Sequence, residues 1–121
     1  MSGFLLAALL QGCAFLSAVS PSAPATASEL YSKEAGYYYS LAVLKRLDGD
    51  LGGAIEDMKR SMAAQPESSY LTTELVSLYV ENGNTDLAIT LGEWALGKDP
   101  GNIELRSIMG GVYFSRREYE K

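Results

Sequence analysis

From Tyr37 onward, apolar side chains return every three or four residues: Tyr37, Tyr38, Leu41, Leu44 and, less regularly, Leu47. That is the period of an α-helix with one face turned inward. Asp48-Gly49-Asp50 interrupts the pattern with a chain reversal, and Asp50 stands where the next helix needs an N-cap acceptor. Beyond it Ala54, Met58, Ser61 and Met62 share one face until Pro66, where the chain must leave the helix. Ala88, Gly92, Ala95 and Leu96 form a matching face before Pro100. The pattern predicts helices over 35–47, 51–64, 69–82, 85–97 and 103–115, hence an all-α fold of five helices.

Two stretches are copies of one another. At an offset of 34, Gly49–Ser68 aligns without a gap on Gly83–Asn102: Gly49 meets Gly83, Ala54-Ile55 meets Ala88-Ile89, Met62 meets Leu96 and Pro66 meets Pro100. Upstream, Leu41 matches Leu75 and Met109, and Leu44 matches Leu78 and Val112. Small residues such as Ala54, Ala88 and Ala95 let paired helices approach closely. A two-helix unit with this period and this placement of Gly, Ala and Pro resembles the tetratricopeptide repeat (TPR), whose helix-turn-helix units stack into an α-α superhelix. The resemblance implies repeat 1 over 35–68, repeat 2 over 69–102 and an incomplete repeat 3 over 103–121. Residues 29–34 form a lead-in to the first helix.

The chain departs from the family pattern at particular places. Tyr38, Thr72 and Arg106 stand where the family usually has Trp. Lys45 stands where Tyr79 and Tyr113 keep the family's Tyr, and Gly92 replaces a large apolar residue inside a helix. A glycine there costs about 1 kcal/mol of helix propensity relative to Ala. In the repeat register Arg117 to Lys121 occupy a turn and the start of another helix, so the chain reads as the N-terminal part of a longer repeat protein.

Composition narrows the chemistry. The 121 residues include no histidine and a single cysteine, so the commonest general base, an internal disulfide and a cysteine-pair metal site are all excluded. A formal charge of −5 argues against nucleic acid as a partner. The segment from Asp48 begins like a calcium loop, but Gly52 and Lys59 stand where two ligands belong, so it reads as an interhelix turn. Glu56-Asp57 reads as part of a solvated helix face. Neither enzymatic activity nor a cofactor is expected.

Charge distribution adds a separate segment. Every charged side chain lies at Glu29 or later, leaving residues 1–28 with the apolar run Phe4 to Leu10 followed by a Ser/Pro/Ala-rich linker. The run is short of the roughly 20 apolar residues of a membrane span and suits an export signal. Leu9-Leu10-Gln11-Gly12-Cys13 resembles the bacterial lipobox, which implies cleavage before Cys13 and lipidation of its thiol. Ala25-Thr26-Ala27 offers a rival A-x-A cleavage site that would release a periplasmic or secreted protein, and an uncleaved anchor is the third reading. Met1-Ser2-Gly3 has no Lys or Arg, unlike the start of a signal, which points to a true start upstream.

Binding is the function left. In the family the first helix of each repeat lines a concave groove; carried over, that face comprises Gly36, Tyr39, Val43, Arg46, Tyr70, Thr73, Ser77, Glu81, Ser107, Gly111 and Phe114. The Lys and Asn of the family's chaperone-binding carboxylate clamp are replaced by Tyr39 and Val43. The expected partner is therefore an extended segment or helix of another protein, with Tyr39, Val43, Thr73, Ser77 and Phe114 in one continuous strip. If Gly92 faces the core, Trp94, about 200° from it on the helix, faces the convex side, as a lid over the adjacent loop or as a further contact for a partner or the membrane. These readings give a non-catalytic interaction scaffold, lipid-anchored in a bacterial cell envelope; alternatively the repeats are an N-terminal docking module of a larger exported protein.

Overall fold

In the computed structural model, which describes residues 27–119, the chain forms five α-helices and, among the described residues, no strand. They are α1 (Ala27–Leu47), α2 (Leu51–Ala64), α3 (Ser69–Glu81), α4 (Thr85–Lys98) and α5 (Ile103–Tyr119). The lipobox residues and Cys13 lie outside the described residues, as do Ala25 and Thr26.

Local chemistry fixes the middle boundaries. Gly49 and Gly83 hold φ of 82° and 78°, a left-handed conformation that glycine adopts at little cost. Around each, the next amide reaches back to the helix: Asp50 N to Lys45 O at 2.8 Å and Asn84 N to Tyr79 O at 2.8 Å, which satisfies carbonyls the helix end would leave bare. Asp50 then caps α2 through Gly53 N at 2.9 Å. Ser68 caps α3 through Leu71 N, and Asn102 caps α5 through Leu105 N.

The outer helices run longer than the pattern predicts. α1 starts eight residues before position 35, because no Pro or Gly stands between Pro24 and Gly36 to stop it. α5 continues past 115 to Tyr119, and the reason lies at position 117. In register with Gly49 and Gly83 the chain there has Arg117, which resists the left-handed conformation that ended α1 and α3. The turn expected at 117 is therefore replaced by helix.

Two apolar clusters meet on α3. One joins Ala35 and Ala42 of α1, Ala54, Ile55 and Met58 of α2 and Leu71, Leu75 and Leu78 of α3. The other joins Val76 of α3, Ala88 and Ala95 of α4 and Leu105 and Met109 of α5. Each fully buried Leu or Met here contributes about 1.5–3 kcal/mol relative to exposure. Ser61, buried among them, donates to the Ala35 carbonyl at 2.6 Å and ties α2 to α1. Gly92 has a packing reason: a Cβ there would lie 2.2 Å from Met109 Sδ, so its bareness makes room for Met109 of α5.

Tyr37, Leu44 and Leu47 depart from the expected core, being 61%, 58% and 78% exposed. Their counterparts Leu71 and Leu78 are covered by the helix that precedes α3, and no described helix precedes α1.

Candidate functional site

The first helices of the three units, α1, α3 and α5, bring most of the expected groove residues together, by contacts between positions 31 to 35 apart. Tyr39 of α1 and Tyr70 of α3 share a hydrogen bond of 2.7 Å between their hydroxyls, with ring centroids 5.8 Å apart. One turn or two further along, Arg46 grips Glu81 through two nitrogens, Nε to Oε2 at 2.9 Å and Nη2 to Oε1, while Nη1 reaches Glu74 at 3.4 Å. The two-point bond to Glu81 raises the Arg46 pKa further, and the pair is satisfied within the chain. Arg46 and Glu81 therefore act first as a clamp between α1 and α3. Val43 lies half-buried between these two contacts along α1.

Between α3 and α5 the surface opens into a cleft of about 730 Å³. Ser77 and Glu81 line it from α3, Ser107 and Gly111 from α5, with an apolar floor of Val80, Ile108 and Val112. The N-terminal turn of α4 contributes Asp86, 3.7 Å from Arg116. Gly111 borders open space there: a Cβ added to it would meet no atom within 4 Å.

Two expectations need correction. Thr73 is buried at 2% exposure, donates to the Ser69 carbonyl at 2.8 Å and accepts from Asn102 Nδ2 at 3.0 Å. It ties α3 to the loop before α5 and lines no surface, because its hydroxyl is occupied internally. The continuous strip is thus interrupted at Thr73. Phe114 is 68% exposed but stands outside the cleft lining.

The second correction concerns Asp57. It is 1% exposed and pairs with Lys45 Nζ at 2.6 Å and Arg60 Nη1 at 3.2 Å, so it belongs to the interior and not to a solvated face. Its Oδ2 has the Lys45 contact without a well-aligned hydrogen bond. A signal for this pair was present: Lys45 and Asp57 stand where repeat 2 has Tyr79 and Leu91, and two compensating departures in one unit mark a contact.

Trp94 is 49% exposed, with Lys98 Nζ 4.4 Å from its ring centroid. It borders an apolar depression of about 440 Å³ formed with Met62, Tyr79, Leu87 and Leu91. Among the described residues no group of three His, Cys, Asp or Glu could hold a metal ion, and no helix is long and apolar enough to cross a membrane.

The tyrosine pair has a measurable consequence. The bond with Tyr39, then burial and the nearby Glu74, push the Tyr70 pKa up to about 12. We expect absorbance titration to show a tyrosine ionising near that pH, and Tyr39→Phe to return it toward the ordinary value of about 10. Because the folded pKa is raised, the stabilisation from this bond is present below about pH 10 and is lost as pH rises toward 12. Ionisation of Tyr70 together with the exposed tyrosines would refute the pairing.

No protein-family model matches this chain, and no curated protein resembles it closely enough in sequence to be informative.

Proposed function

We propose that this chain is a non-catalytic TPR-type scaffold that binds an extended segment of a partner protein along α1, α3 and α5. The observation that carries the reading is the cleft between α3 and α5. It is floored by Val80, Ile108 and Val112 and rimmed by hydroxyls, so it offers apolar contact and hydrogen bonds to a peptide. The exposed rings of Tyr70 and Phe114 supply aromatic anchors of the kind in which such interfaces concentrate their energy. The uncharged leader and the lipobox-like Cys13 support an address in a bacterial envelope, with the scaffold held at a membrane by a lipid.

Gly111→Trp tests the cleft without disturbing the fold, since the space around Gly111 is empty. Random peptides displayed on phage and selected on the wild-type chain are the probe. A selected peptide is expected to lose about 1–3 kcal/mol of binding on Gly111→Trp and none on Trp94→Ala. Loss on Trp94→Ala alone would move the contact to the outer surface and reject this function for the cleft.

A further inference from the structure

The three units expose one position pair very differently. Leu71 and Leu78 of α3 are 6% and 1% exposed, Leu105 and Val112 of α5 are 1% and 6%, yet Tyr37 and Leu44 of α1 are 61% and 58%. Around them Lys33, Tyr37, Ser40, Leu44 and Leu47 follow one another at spacings of four, three, four and three, and all five are exposed. This is the spacing of a helix that packs lengthwise on another helix.

We propose that the stripe pairs with the same stripe of a second copy of this chain, the two α1 helices running antiparallel. With the two-fold axis beside Ser40, Tyr37 of each copy meets Leu44 of the other, and Lys33 of each copy meets Asp48 of the other. The small Ser40 at the centre lets the backbones come together. Charge decides the direction: a parallel pair would set Lys33 against Lys33 and Asp48 against Asp48, whereas the antiparallel pair joins opposite signs at both ends. Both residues are exposed, Lys33 near the N-terminal end of the stripe and Asp48 in the turn that directly follows α1. One helix pair of this length buries on the order of 1,000 Å² in total, at the small end of specific interfaces, which suits a weak, reversible dimer. At 100° per residue, Tyr39, Val43 and Arg46 lie on average about 110° round the helix from this stripe, so the stripe is a face distinct from the one turned toward α3. The proposal stands independently of peptide binding in the cleft.

Sedimentation velocity of the full chain across the micromolar range is the test. Wild type is expected to dimerise, and Leu44→Glu, at an exposed site, to weaken the dimer at least about fiftyfold while far-UV circular dichroism stays unchanged. Lys33→Glu and Asp48→Lys should each weaken it about tenfold, and the double variant should restore the wild-type constant, because the reversed charges again meet with opposite sign. In a Cys13→Ser/Ser40→Cys chain a short bis-maleimide should link two copies. A wild type that stays monomeric, or a dimer indifferent to Leu44→Glu, overturns the proposal. In a separate Ser40→Cys chain that keeps Cys13, a bis-maleimide link within one chain would overturn it too, by showing that the preceding segment covers the stripe.

Discussion

Lys45→Tyr is expected to destabilise the chain by about 2–3 kcal/mol, and adding Asp57→Leu to recover most of that loss. Asp57 is buried with its carboxylate shared between Lys45 at 2.6 Å and Arg60 at 3.2 Å. Removing one partner of a fully buried pair costs about 3–5 kcal/mol, because the remaining charge stays desolvated. The Lys45 side chain is 41% exposed, so part of its attraction is already screened and the smaller figure applies. Leucine at 57 removes the charge altogether and reproduces the Tyr79 and Leu91 combination that repeat 2 already packs. Urea unfolding of the two single variants and the double variant measures the coupling. Additive effects would mean that the two side chains do not interact, and the pair would lose its structural role.

Gly92→Leu is the second large effect, and here sequence and structure make opposite forecasts. Leucine regains about 1 kcal/mol of helix propensity and matches the buried Met58 of repeat 1, so the pattern alone predicts stabilisation. In the fold the new Cβ would sit 2.2 Å from Met109 Sδ and 3.2 Å from its Cγ, inside a cluster with Leu105 and Ala95. Overpacking of this kind costs about 1–3 kcal/mol. We expect a net loss of about 2 kcal/mol, with amide exchange in α5 accelerating most, since Met109 holds that helix. Met109→Ala in the same chain should return at least about 1 kcal/mol. A Gly92→Leu protein that melts higher than wild type would show that α5 does not pack where it is described.

Much of the candidate site was legible because its parts repeat. The 34-residue offset brings Ser77 near Gly111 and puts Tyr39 opposite Thr73, one turn from Tyr70, since equivalent positions of successive units become neighbours when the units stack. Arg46 and Glu81 were readable as residues of that face, but not as each other's partners. Nothing local tells a charged pair on a surface from one awaiting a ligand. The cleft exists only between α3 and α5, and a concavity between two helices acquires a shape only when both are in place.

By itself the sequence determined the number of helices, the turns at Gly49 and Gly83 and the capping by Asp50. All of these rest on interactions within a few residues, where helical period and backbone preference decide the outcome. Only the tertiary structure decided that Thr73 and Asp57 are interior, that Gly92 accommodates Met109, and that Tyr37 and Leu44 lie bare although their counterparts are buried. Which side of a helix is covered depends on what packs against it, and those neighbours come from elsewhere in the chain. Periodicity marks an apolar face without saying whether a neighbour exists to cover it.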